Sequence, residues 1–122
     1  MASATHSEGE LQAEVLAAVG ALPHALFWRN NVGAMHDGQR MVFFGQKGAA
    51  DVLGCYRGHA VAIEVKALRG ALKARQRKWR AAWERAGGVY LVAKVVRGEL
   101  PATTAARVCT AMRAAVEAPI PL

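Results

Sequence analysis

The spacing of apolar positions changes several times along the chain, and each change marks a predicted element. Ser7 and Glu10 have the S-x-x-E form of a capping box, so a helix should begin near Glu8. Gly20 and Pro23 should end this helix. Its apolar residues recur every three to four positions, as on one face of an amphipathic helix, at Leu11, Val15, Ala18, Val19 and Leu22.

Short apolar runs follow and predict strands over Ala25–Arg29 and Met41–Phe44. The polar, glycine-containing stretch Asn30–Arg40 between them is expected to be a loop. Further along, Leu72–Ala86 has the pattern of a long helix that two glycines stop. Val89–Val96 is nearly continuous in apolar residues, which favours a strand buried on both faces.

A last helix is expected from a cap at Thr103 or Thr104 to about Glu117. Val108, Met112 and Val116 give it an apolar stripe for packing or for dimerisation. The succession predicts an α/β fold in one domain over residues 1–122, with the core order α-β-β-β-α-β and a C-terminal helix. The sheet should be mixed and flanked by helices.

Asp51–Tyr56 and His59–Lys66 are separated only by Arg57 and Gly58, which predicts a tight hairpin. If these two residues form the turn, counting outward along the strands places Asp51 directly opposite Glu64. Side chains alternate along a strand, so Glu64 and Lys66 share a face with two small alanines. The other face carries bulky residues and should face a core, at Val61, Ile63 and Val65.

Two carboxylates on directly opposed residues would lie about 5 Å apart and repel each other. A cation should therefore occupy the gap, and oxygen ligands of this kind suit Mg²⁺ or Mn²⁺. Lys66 would orient or activate an attacking water, or stabilise the phosphate during attack. Two other interpretations stay open: an E-V-K triplet occurs by chance in many strands, and Lys66 also fits a structural salt bridge.

Gln76 interrupts the apolar stripe of the Leu72–Ala86 helix, whose other members include Trp79 and Trp83. A polar residue on a core-facing stripe needs a partner, which is either the site or the backbone. The two tryptophans are interpreted as core residues in preference to base-stacking platforms.

The charge of the chain is uneven, although it sums to +7. Residues 1–65 have a net charge of −2, whereas residues 66–122 have a net charge of +9. The excess is concentrated around the Leu72–Ala86 helix and suggests a polyanionic partner, most often nucleic acid. A merely solvated basic face is the alternative. The candidate phosphate-binding residues are Arg69, Lys73, Arg77 and Arg80.

Glu8 continues the buried stripe of the first helix toward its start and is the remaining acid of interest, with Glu10 as the alternative. Helix-cap electrostatics alone would also explain an acid here.

Several classes of function lack support. No apolar run is long enough to span a bilayer, and the start of the chain lacks the pattern of a secretory signal. Cys55 and Cys109 have no metal-type spacing and are expected to be free, buried thiols, so a cytoplasmic protein is expected. No zinc-type or hydrolase-type spacing of histidines is present, and no phosphate-binding loop points to a nucleotide cofactor.

Five pieces of the sequence, taken in order, resemble VRR-NUC (virus-type replication–repair nuclease) domains, a branch of the PD-(D/E)XK nuclease superfamily. The resemblance covers Glu8 to Val96, and the superfamily core has the same α-β-β-β-α-β order. Ala50 stands where the superfamily's name has proline, which VRR-NUC domains commonly lack. The pieces are Ser7-Glu8 with Leu11-Gln12, Trp28-Arg29-Asn30-Asn31-x-Gly33, Gly48 to Gly54, Ile63-Glu64-Val65-Lys66, and Gln76.

The resemblance implies a role for each site residue. Asp51 and Glu64 would bind the divalent metal, together with the carbonyl of Val65. Lys66 would be the catalytic lysine and Gln76 an assisting residue. The acid contributed by the first helix would be Glu8.

These expectations describe a metal-dependent DNA endonuclease. Its single-domain form looks like those of phages and prophages, which resemble Holliday-junction resolvases in acting as homodimers on branched DNA. Two alternatives remain: a non-catalytic basic module that binds nucleic acid, and a general duplex nuclease.

Overall fold

The computed structural model describes residues 5–118, apart from the side chain of Phe44. It is an α/β fold with a mixed sheet flanked by helices and a C-terminal helix, as predicted. Over the described residues none of the helices is long and apolar enough to cross a membrane. The elements are α1 (Glu8–Gly20), β1 (Ala25–Arg29), β2 (Gly33–His36), β3 (Met41–Phe44), β4 (Val52–Tyr56), β5 (His59–Lys66), α2 (Ala74–Arg85), β6 (Val89–Lys94) and α3 (Pro101–Glu117).

The main sheet has the strand order β1-β4-β5-β6. β1, β4 and β5 pair antiparallel, whereas β6 lies parallel to β5 after the crossover through α2. β2 and β3 pair only with each other, in a separate two-stranded ribbon. The core order α-β-β-β-α-β holds for the main sheet, because Met41–Phe44, which makes a fourth predicted strand before the second helix, belongs to the ribbon.

The β4–β5 hairpin has the predicted register. Tyr56 pairs with His59 and Val52 pairs with Ile63. Arg57 and Gly58 form the turn with positive φ angles of 51° and 81°, the combination that matches the twist of two adjoining strands. This register carries Asp51, the residue before β4, to the position opposite Glu64.

The two faces of β5 pack against different helices. Val61, Ile63 and Val65 are completely buried in the larger core, together with residues of α1 and α3. On the opposite face Ala62 and Tyr90 form a smaller cluster with the tryptophans of α2. The alternation that the sequence predicts is therefore confirmed. The stripe of α3 packs into the larger core through Val108, Met112 and Val116.

Two expectations about strands are wrong. The stretch expected to be a loop, Asn30–Arg40, contains β2, which is stabilised by its pairing with β3. Val89–Val96 is not buried on both faces, since β6 ends at Lys94 and lies at the edge of the sheet. Its edge position leaves 40% of Val92 exposed.

The boundaries of two helices also differ from expectation. α2 begins at Ala74 rather than at Leu72. α3 begins at Pro101, because proline at the first helical position is already in helical geometry, and Leu100 takes the cap position. Both cysteines are free, as expected, but Cys55 is exposed while Cys109 is buried.

Candidate active site

The carboxyl groups of Asp51 and Glu64 meet at the mouth of the β4–β5 hairpin, within hydrogen-bonding reach of each other. The Oδ2 atom of Asp51 accepts a hydrogen bond from the backbone N–H of Val65 at 2.7 Å. This bond crosses from the start of β4 to β5 and fixes the aspartate beside the glutamate. The Glu64 side chain is 2% exposed, and its Oε2 atom is buried without a hydrogen-bond partner.

The environment of Glu64 disfavours its charged form. Burial, followed by the hydrogen bond and the negative charge of Asp51, raises the pKa of Glu64 to about 9. Lys66 opposes this shift because its positive charge favours the carboxylate. Tyr90 lies on the same face of the sheet, and its buried hydroxyl is also without a partner. Burial and then the charge of Glu64 raise the pKa of Tyr90 above its ordinary value.

Gln76 has the partner that its place on the helix stripe required. Its Oε1 atom accepts a hydrogen bond from Nζ of Lys66 at 2.8 Å. The same oxygen accepts the backbone N–H of Lys73 at 2.8 Å, which closes the first turn of α2. The first turn of α2 thus holds the ammonium group of Lys66, and both residues are half-buried.

The acid of the first helix that reaches β5 is Glu8. Its Oε2 atom accepts the backbone N–H of Ala67, the residue after Lys66, at 3.1 Å. Glu10 instead completes the capping box with Ser7 at the start of α1. The Glu8 side chain is exposed, so the buried stripe of α1 begins at Leu11 and does not include it.

A cleft of about 350 Å³ opens beside the carboxyl pair. It is lined by Asp51, Glu64 and Gln76 and also by residues of the β2–β3 ribbon. Lys73 and Arg75 contribute positive charge from the start of α2.

The predicted phosphate-binding residues are not equivalent in the structure. Lys73 lines the cleft. Arg69 and Arg77 are exposed, and Arg77 donates to the backbone carbonyl of Leu72. Arg80 is half-buried, because its guanidinium lies 4.9 Å from the ring centre of Tyr90 and forms an ion pair of 3.1 Å with Glu84. Of these four side chains, Arg80 therefore interacts most with other side chains of the protein.

Sequence reasoning did not identify Lys47, Phe43 or Asn30 as residues of the site. Lys47 and Phe43 line the cleft. Asn30 supports the backbone at Asp51, since its own N–H donates to the carbonyl of Asp51 at 2.7 Å and its side chain donates to the carbonyl of Ala50 at 3.0 Å. The feature of the sequence that could have indicated this role of Asn30 is the Asn30-Asn31 pair directly after β1.

The donor set suits a hard divalent cation. Two carboxylates can only accept hydrogen bonds, so their contact needs a proton or a cation between them. The unpartnered Oε2 atom of Glu64 offers such a ligand oxygen. Over residues 5–118 no group of three or more histidine, cysteine, aspartate or glutamate side chains is arranged to hold a metal ion. A cation bound here would therefore have Asp51 and Glu64 as its side-chain ligands, and backbone oxygen, water and substrate would supply the other ligands.

The chain matches no protein-family model, and no curated protein is significantly similar to it.

Proposed function

We propose that this protein is a divalent-metal-dependent DNA endonuclease that hydrolyses phosphodiester bonds, with branched DNA as its substrate. The observation that carries the proposal is the meeting of Asp51 and Glu64 across the hairpin, with the Lys66–Gln76 pair beside them. A structural ion pair would not leave an oxygen of Glu64 buried and unpartnered. The resemblance to VRR-NUC domains supports the same assignment.

In this proposal Asp51 and Glu64, with the carbonyl of Val65, hold Mg²⁺ or Mn²⁺. When bound, the cation polarises the scissile phosphate and lowers the pKa of a water molecule. Lys66 supplies positive charge where negative charge develops on the phosphate, and Gln76 fixes the position of that ammonium group. Glu8 holds the backbone that follows Lys66.

The positive side chains around the cleft hold the DNA backbone. Lys73 lies in the cleft itself, while Arg69 and Arg77 extend the positive surface beyond it. Each phosphate that such a cation neutralises makes the affinity for DNA more sensitive to salt. Arg80 contributes to the same field from its position over Tyr90.

The proposal is tested by cleavage of a labelled four-way junction, a flap and a matched linear duplex with Mg²⁺ or Mn²⁺. Glu64→Gln, Asp51→Asn and Lys66→Ala should each lower the cleavage rate at least about a hundredfold. Glu14→Gln, which changes an exposed acid of α1, should cleave like the wild type. Unchanged metal-dependent cleavage in the three site variants would refute the proposed site.

The same experiment separates the alternatives. Cutting of all three DNA forms indicates a general duplex nuclease. Salt-dependent binding without cleavage under either metal indicates a non-catalytic nucleic-acid-binding module. Light scattering tests the proposed homodimer, in which two copies would cut two strands. The proposed setting is the cytoplasm of a bacterial host, with a phage or prophage origin.

A further inference from the structure

An exposed aromatic ring lines the same cleft as the carboxyl pair. Phe43 of β3 lines the same cleft as Asp51 and Glu64 and is 62% exposed. Ala34 pairs directly with Phe43 across the ribbon and also lines the cleft. The small methyl group of Ala34 leaves the ring uncovered by its cross-strand neighbour.

Phe43 does not serve the packing of the fold. Among the described residues, neither apolar core cluster includes it. Burying a phenylalanine side chain stabilises a fold, and this chain forgoes most of that stabilisation at Phe43. A large apolar ring exposed in a cleft that also contains carboxyl and basic groups therefore points to a ligand.

The charges around the ring indicate which ligand. Nζ of Lys47 lies 5.0 Å from the centre of the Phe43 ring. Lys73 and Arg75 face the same cleft from α2. An aromatic face among cations is the combination by which proteins bind single-stranded nucleic acid, because bases stack on the ring while phosphates contact the cations.

We propose that Phe43 is a stacking platform for one unpaired nucleobase beside the phosphate that is cleaved. This inference rests on the proposed function and specifies its substrate, which is DNA whose strand leaves the duplex at the branch, as in a flap or a frayed junction. A cleft of about 350 Å³ lies at the small end of ligand pockets and suits a single nucleotide rather than a duplex. Lys47 contacts a phosphate of the same strand.

The test measures binding without metal, so that it does not depend on cleavage. A set of flap oligonucleotides carries the fluorescent base 2-aminopurine, each at a different position around the branch, and each is mixed with the protein in EDTA. Binding of the wild type should strongly quench the fluorescence of 2-aminopurine at one of these positions. Phe43→Ala should abolish that quenching and weaken flap binding about 5- to 150-fold, the equivalent of one stacked base, while duplex binding changes less than about twofold.

Two matched variants separate stacking from simple apolar contact. Phe43→Trp keeps an aromatic face and should retain the quenching, whereas Phe43→Leu keeps apolar area without the ring and should lose it. Leu26→Ala removes a side chain of similar exposure, 68%, on β1 outside the cleft and should change neither readout. Circular dichroism should remain that of the wild type for all variants, since Phe43 lies outside both cores.

Three results would overturn the inference. The first is a Phe43→Ala variant that binds and quenches like the wild type. The second is equal weakening of flap and duplex binding, which would indicate general backbone contact. The third is a halved mass in light scattering for Phe43→Ala, which would make a second copy of the chain the occupant of the ring. Absence of metal-dependent cleavage in the wild type would refute the nuclease and leave the quenching result standing.

Discussion

The buried carboxyl of Glu64 should make the stability of the metal-free protein depend on pH. Burial and the neighbouring Asp51 raise the pKa of Glu64 from 4.5 to about 9 in the folded state. In the unfolded chain the carboxyl loses its proton near its ordinary value. Between these two pKa values the folded protein binds one more proton than the unfolded chain. The free energy of unfolding therefore falls as the pH rises through this window.

A difference of one proton gives a slope of about 1.4 kcal/mol per pH unit. From about pH 6 to about pH 8 the metal-free protein should then lose at most about 3 kcal/mol of stability from this group. The pKa of Glu64 is raised mainly because its side chain is excluded from solvent, with only 2% exposed. Substitution by glutamine keeps the shape and gives Asp51 an amide donor that does not titrate.

Urea unfolding in EDTA over this pH range measures the effect. Other groups also contribute to the pH dependence, so the informative quantity is the free energy of unfolding of the wild type minus that of Glu64→Gln, from which the contributions common to both proteins cancel. That difference should fall with pH, while Glu14→Gln on the exposed face of α1 should follow the wild type. In the proposed metal site Mn²⁺ would displace the proton of Glu64, so its stabilising effect should grow with pH. Parallel pH profiles for wild type and Glu64→Gln would refute the reasoning.

Two further substitutions test how the site is assembled. Gln76→Ala removes the acceptor of Lys66, which should lower cleavage at least about tenfold, whereas Gln76→Glu keeps an oxygen acceptor and should retain most of it in the same nuclease assay. Gly48 has φ +83°, and an added Cβ would lie 2.4 Å from the carbonyl oxygen of Arg75. Gly48→Ala should therefore lower the free energy of unfolding by at least about 2 kcal/mol, which calorimetry would detect as a fall of about 8 °C in Tm. Gly58 has a similar φ of +81° but open space around it, so Gly58→Ala should destabilise the protein less. Equal losses of stability in the two variants would contradict a close approach between the loop at Gly48 and α2.

The β4–β5 hairpin could be predicted from the sequence because its signals are local. The two-residue turn at Arg57–Gly58 sets the register, and the alternation along β5 sets the faces. These two facts suffice to bring Asp51 opposite Glu64. A partner for Gln76 could likewise be expected, since a polar group on an apolar helix stripe must be satisfied, but the sequence left open whether that partner was the site or the backbone, and the structure shows both.

The parts that could not be predicted depend on contacts between distant segments. The Gly33–His36 segment has no alternation of its own and becomes a strand only through pairing with β3. The edge position of β6 follows from the order of strands in the sheet, which its apolar composition does not encode. Phe43 reads as part of an ordinary apolar strand until the ribbon is placed beside the carboxyl pair.

β5 explains how this small fold tolerates a buried carboxyl with one unpartnered oxygen. Holding Glu64 out of water without a partner for Oε2 is unfavourable, and removing its hydrogen-bonding water costs about 1–3 kcal/mol. The same strand buries Val61, Ile63 and Val65 completely on its other face, and each such side chain contributes roughly 1.5–3 kcal/mol. Burial of the apolar face of β5 therefore offsets the unfavourable burial of Glu64 on the other face of the same strand. Because the two faces contact different helices, a substitution of Glu64 acts on the side of α2 and leaves the larger core against α1 and α3 intact.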